Sequence, residues 1–167
     1  MKKMLMVIVG LMMSAAAFAQ TSFEVYVYDQ QGGKTNIRNA PNGKVVASLE
    51  QNDEYNMVVT ECKNNWWRID GGKVFPFEAD EIRLKGSTTG YWIHSSVIGF
   101  TGQGEGGVTL YQSPNKKSKV VVRTKNWTMV RPIGVQNGWV KVRVEGTKKE
   151  GWMPMNQICA NPVTNCC

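Results

Sequence analysis

The chain is poor in the groups that do chemistry. Its 167 residues hold one histidine, His94, and four cysteines. A thiolate nucleophile needs an imidazole within hydrogen-bond reach and a third group to orient it. Cys62 sits in the valine-rich run 57–62, and His94 follows Trp92-Ile93 directly, so both read as structural residues and no catalytic group is expected. The acidic run Glu78-Ala79-Asp80-Glu81 stands alone, whereas a hard-cation site wants about 6 to 8 oxygens at defined spacing. It reads as a solvated loop, and neither a metal nor a cofactor is expected. Apolar length is also lacking: the run from Met4 to Met13 is short of the roughly 20 residues that span a bilayer. Nor does any later segment sustain a 3.6-residue apolar period, which argues against a helical domain.

What the N-terminus does contain is a basic start, Met1-Lys2-Lys3, the short apolar run, and Ala17-Phe18-Ala19, the small-x-small pattern of a cleavage site. Residues 1–19 therefore read as a signal peptide. With no cysteine at the cut, no membrane anchor is expected after cleavage, and the location is periplasmic or secreted, in a bacterium. Loss of Lys2 and Lys3 lowers the formal net charge from +7 to +5. That balance favours anionic polymers, but export takes the chain away from nucleic acid, which is not expected as a partner. Lys116-Lys117-Ser118-Lys119 and Arg123-Thr124-Lys125 read first as a solubilising surface. Export also permits disulfides. Cys159 and Cys166 enclose a stretch in which Pro162 favours a turn, so their pairing is the expected staple of a 159–167 tail, with Cys167 as the competing partner. Cys62 reads as a packed or free thiol.

An internal repeat organises the rest. Thr35-Asn36-Ile37-Arg38-Asn39-Ala40-Pro41, then Lys44-Val45-Val46, then Asn64-Asn65-Trp66-Trp67-Arg68-Ile69, recur as Val108-Thr109-Leu110-Tyr111-Gln112-Ser113-Pro114, Lys119-Val120-Val121 and Asn137-Gly138-Trp139-Val140-Lys141-Val142. Pro41 and Pro114 are 73 positions apart, as are Trp66 and Trp139. Phe23 to Tyr28 alternates with a period of two, and Asn-Asn and Asn-Gly before a tryptophan are hairpin signals. The fold class is all-β, read as two tandem copies of one small unit over 20–98 and 108–158, joined by a glycine-rich linker over 99–107. The first repeat carries an insertion at about 72–88. Its Val74-Phe75-Pro76-Phe77 is too apolar for a free loop and is expected to fold back on a domain surface or to fill the cleft between domains.

These motifs resemble the bacterial SH3-like, or SH3b, family. Asn36-Ile37-Arg38-Asn39-Ala40-Pro41, Trp66-Trp67-Arg68-Ile69 and the closing Trp92-Ile93-His94-Ser95-Ser96 supply its pattern once. Leu110-Tyr111-Gln112-Ser113-Pro114, Gly138-Trp139-Val140-Lys141-Val142 and Gly151-Trp152-Met153 supply it again. Tyr111 stands where the pattern has arginine, and Asn65 where it has glycine. The resemblance implies small bent barrels that serve as targeting or ligand-binding modules of cell-wall proteins. Such modules often accompany a cysteine peptidase similar to NlpC/P60, but the repeats and the tail account for this chain, and no such domain is expected beside them. The valines at 140, 142 and 144 share one strand face, leaving Trp139, Lys141 and Arg143 on the wet one. By the same step Trp67 and Ile69 point inward, and Trp66 lies outward beside Arg68. Trp66, Arg68, Trp139 and Lys141, with Tyr91, Trp92 and Trp152 near them, are the candidate binding residues for a peptide or a cell-wall glycopeptide. Two alternatives stay open: the indoles serve packing, or they form an interface with an envelope protein in a scaffolding role.

Overall fold

The computed structural model describes residues 21–50 and 54–160. The leader expected over 1–19, and Cys166 and Cys167, lie outside them, so the expected Cys159 to Cys166 staple is not described. The described residues form fifteen strands: β1 (Phe23–Val27), β2 (Thr35–Arg38), β3 (Val45–Leu49), β4 (Tyr55–Lys63), β5 (Trp66–Ile69), β6 (Lys73–Pro76), β7 (Ile82–Arg83), β8 (Trp92–His94), β9 (Ile98–Gly102), β10 (Val108–Tyr111), β11 (Val120–Thr124), β12 (Met129–Gln136), β13 (Trp139–Val144), β14 (Glu150–Pro154) and β15 (Ile158–Cys159). Helical structure among them is confined to three short 3-10 turns. The all-β expectation holds.

Hairpin chemistry sets the local register. Asn64 and Asn65 turn β4 into β5 with φ of 51° and 65°, and Asn137 and Gly138 turn β12 into β13 with φ of 47° and 77°. Positive φ at both central residues matches the twist of the flanking strands. Asparagine tolerates that region, so Asn65 performs the turn its glycine counterpart performs in the second repeat.

Twelve of the strands run in the order β11-β10-β14-β13-β12-β9-β1-β4-β5-β8-β2-β3, with β15 added to β9 and β6 and β7 added beside β4, all antiparallel. Read outward from the central β9–β1 pair, the two halves show one pairing scheme: β10, β11, β12, β13 and β14 stand to β9 as β2, β3, β4, β5 and β8 stand to β1. The repeat seen in the sequence is thus a repeat of strand pairing. It does not produce two separate closed barrels: the strands make one connected sheet, open at β3 and β11. The reason is β9. Ile98 and Gly99 pair with Val27 and Tyr26 of β1, while Phe100 and Thr101 pair with Val130 and Met129 of β12. One strand completes the first repeat and begins the second.

This revises the role of the glycines read as a linker. Residues 98–102 are strand, and Ile98 and Phe100 are wholly buried. A Cβ on Gly102 would lie 2.6 Å from Val108 Cγ2 and 3.1 Å from Met153 Cε. Glycine is present here for close approach rather than for freedom. The buried residues of both repeats form one continuous core, from Phe23, Trp67 and Ile93 to Leu110, Val140 and Met153.

Polar contacts lock the repeats together. Arg131 of β12, 8% exposed, donates to Tyr28 O at 2.7 Å and Ile98 O at 3.1 Å, forks onto Glu145 at 2.6 and 3.2 Å, and lies 4.7 Å from the Tyr28 ring centroid. The Trp67 indole N–H donates to Pro132 O at 2.9 Å. The Tyr26 hydroxyl reaches Met129 Sδ, and burial pushes its pKa up to about 12. The insertion takes the first of the two courses open to it: β6 adds to the start of β4 and carries β7, a hairpin on the surface of the first repeat. Val74 is wholly buried there, while Phe75, Phe77 and Ile82 stay exposed.

Candidate functional site

Cross-strand register brings the candidate residues together in rows. In the first repeat one row runs Arg38, Trp92, Arg68, Glu61 across β2, β8, β5 and β4, and the next runs His94, Trp66, Lys63. Residues directly opposite on paired strands share a face. In the second repeat the corresponding rows are Tyr111, Trp152, Lys141, Gly134 and Pro154, Trp139, Gln136. The first-repeat residues on β2, β4 and β5 are each 73 positions from their counterparts, and those on β8 are 60. Trp66, Arg68 and Trp92 come together on one surface and Trp139, Lys141 and Trp152 on another, so the single surface expected of them is divided between the two repeats. Between β5 and β13 lie four strands, β4, β1, β9 and β12.

The two surfaces differ in how far they are covered. Trp66 lies on the outer face, as the alternation requires, yet it is 9% exposed, and Trp92 is 5% exposed. The Arg38 guanidinium lies 5.7 Å from the Trp66 ring centroid while it donates to Gly43 O at 2.7 Å. His94 meets Trp66 edge-on at 5.0 Å, and the Lys63 ammonium lies 5.5 Å from the centroid of Trp92. Arg68 is exposed and lies 3.9 Å from Glu61. The first repeat's indoles are covered by the chain's own side chains, so Trp66 is not the open platform that the strand alternation suggested.

In the second repeat Tyr111, Trp139 and Trp152 are each only half-buried. Tyr111, at the position of Arg38, meets Trp139 edge-on at 5.8 Å. The cations at their edge are already paired: Glu150 accepts from Arg143 at 2.6 Å and lies 3.3 Å from Lys141. Those two cations, Arg143 first, hold the Glu150 carboxyl below its ordinary range, so it is charged near neutrality.

Other candidates play structural parts. The Tyr91 hydroxyl donates to Leu84 O at 2.8 Å and accepts from Ser87 N–H, and its ring occupies the space a Cβ on Gly72 would need. Tyr91 thus clasps the ends of the insertion. Cys62 pairs with the inward Trp67 and points to Ile133 O at 3.6 Å, whereas His94 pairs with the outward Trp66. The two lie on opposite faces of the sheet; burial raises the Cys62 thiol pKa and lowers that of His94.

Trp127 was not singled out by the sequence. It is 47% exposed, in the left-handed region at φ 65° between β11 and β12. No periodic signal marks it, because it belongs to a turn.

An antiparallel all-β chain with a repeated aromatic and cationic face is the class that this geometry defines. More particularly, residues 104–158, from the loop before β10 to the first residue of β15, match the family described as "Bacterial SH3 domain". No curated protein matches the chain. Similar solved structures include NlpC2 from Trichomonas vaginalis, at 11% identity and a TM-score of 0.33, covering 88% of this chain and 52% of that one. Another is NlpC1 from the same organism, at 10% identity and 0.32, covering 95% and 54%. This chain spans about half the length of each, and likeness at that level carries no argument about activity.

Proposed function

We propose that the chain is an exported, non-catalytic binding protein built of two SH3-like units that share β9, and that it recognises a peptide or cell-wall glycopeptide through its second unit. The match of residues 104–158 to the bacterial SH3 domain supports the class. One observation carries the choice of site: Trp66 and Trp92, covered in the first unit by Arg38 and Lys63, correspond in the second to Trp139 and Trp152, which are only partly buried, with Tyr111 beside them. Half-exposed aromatic faces supply contact area at small ordering cost. The first unit then serves as a rigid support, fixed to the second through Arg131 and Trp67. The basic start, apolar run and Ala17-Phe18-Ala19 support export.

The test is co-sedimentation of purified protein with protein-free peptidoglycan sacculi. Saturable binding is expected, weakened about tenfold by Trp152→Ala or Trp139→Ala. Binding that neither substitution alters would remove the second unit's face from the reading.

A second reading, an envelope scaffolding subunit, is favoured by the insertion hairpin, where Phe75, Phe77 and Ile82 are 37%, 52% and 40% exposed. It predicts capture of an envelope protein that Phe75→Ser with Phe77→Ser abolishes, with no binding to protein-free sacculi.

A further inference from the structure

The first repeat shows which group an indole at these positions accepts. Lys63 of β4 faces Trp66 in register, but its ammonium crosses diagonally to lie over Trp92. Arg38 faces Trp92 and crosses the other way, onto Trp66. Each indole is covered by a cation of its own chain. In the second repeat the two cation positions hold Tyr111 and Gln136. Tyr111 takes up Trp139 by an edge contact, so the seat corresponding to Arg38 is filled by another ring. The seat corresponding to Lys63 is not: Gln136 carries no charge, and Trp152 is only partly buried where Trp92 is 5% exposed.

The carboxylate has moved as well. In the first repeat it is Glu61, whose counterpart in the second is Gly134, while Gly90, 60 positions before Glu150, has no side chain. Glu150 lies two residues from Trp152 on the same face of β14, with 31% of its side chain exposed. Trp152 is thus a partly buried indole without a cation over its ring corresponding to Lys63, beside a carboxylate that Arg143 and Lys141 share at 2.6 and 3.3 Å. The first-repeat counterpart of Gln136 is a lysine rather than an arginine.

We infer that Trp152 and Glu150 receive a primary ammonium group of the ligand, from the side chain or terminus of a peptide, as Trp92 receives Lys63. This rests on reading the second repeat's face as the binding surface. Lys141 and Arg143 compete for the same carboxylate, so one ammonium binds weakly and gains affinity from the rest of the ligand on Tyr111 and Trp139.

The probe is a short peptide with blocked ends and one lysine, compared with the same peptide acetylated on the lysine amine. Binding is followed through the indole N–H resonances of the purified protein. Millimolar free-amine peptide should shift the Trp152 resonance, and acetylation should weaken binding roughly fivefold. Gln136→Lys restores the internal cation and should weaken free-amine binding to a similar extent, whereas Gln136→Asn should leave it unchanged at the same melting temperature. Lys63→Gln should open the first repeat, adding a shift at Trp92. Equal binding of the two peptides, or no shift at Trp152 with either, overturns the inference. If sacculus binding still depends on Trp152 in that case, the binding face stands and only its amine preference falls.

Discussion

Replacing Arg131 with methionine keeps most of the side chain's length and removes its charge and all five donors. The guanidinium is buried, so the groups it serves lose their partners together. Tyr28 O and Ile98 O each lose a charge-assisted bond, costing about 1 kcal/mol apiece after solvent and methionine packing partly compensate. Glu145 loses a fork of two bonds. Because its side chain is 30% exposed, water can recover part of that, and about 1 kcal/mol is the reasonable loss. The sum is about 3 kcal/mol, at the lower edge of the range for breaking a buried pair. Glu145→Gln should cost only about 1 kcal/mol, since it leaves both carbonyl bonds in place, and the double variant should cost less than the sum of the two. Urea unfolding followed by far-ultraviolet circular dichroism and by tryptophan fluorescence reads both quantities. The two probes should report one transition in the parent, because β9 belongs to both repeats. An Arg131→Met variant within about 0.5 kcal/mol of the parent would refute the claim that this guanidinium locks the repeats together.

Acid should loosen the same junction. Arg131 holds the Glu145 carboxyl below its ordinary value of 4.5, so its contribution is complete above that pH and is lost as the pH falls through the folded-state value. Glu145→Gln should flatten the decline in stability below pH 4.5, and an unchanged acid limb would count against the pairing. Gly102→Ala should destabilise by about 1 to 3 kcal/mol, through overpacking against Val108 and Met153, whereas a flexible linker would tolerate it; the midpoint of the urea transition decides. Trp127→Gly should stabilise by about 1 kcal/mol by relieving the left-handed backbone of a bulky residue. A fall in melting temperature would mean that the exposed indole makes a contact worth more than that strain.

Much of the architecture was legible in the residues alone. Spacings of 73 between prolines and between tryptophans gave the repeat, and Asn64-Asn65 and Asn137-Gly138 gave both hairpins. The strict alternation in 139–144 correctly sorted valines from cations. Gly99 and Gly102 misled, because composition alone does not separate a glycine that must bend from one that must admit a neighbour. Trp66 misled differently: alternation states which face a side chain takes, and it says nothing about what later covers that face. Tyr91 looked like part of an aromatic surface, and only the path of the insertion shows that its hydroxyl ties Leu84 and Ser87.

Periodicity and turn chemistry are local, so the chain alone settled its all-β class, its two hairpins and its duplicated pairing scheme. Which strand the copies share, and which of two equivalent aromatic faces stays open, depended on contacts between residues far apart in the chain. Lys63 over Trp92, and Gln136 where that lysine would be, form a difference that acquires meaning only when the strands are laid side by side. The physical reason is that coverage of a ring is set by cross-strand and diagonal neighbours, whose identity follows from register and not from sequence separation.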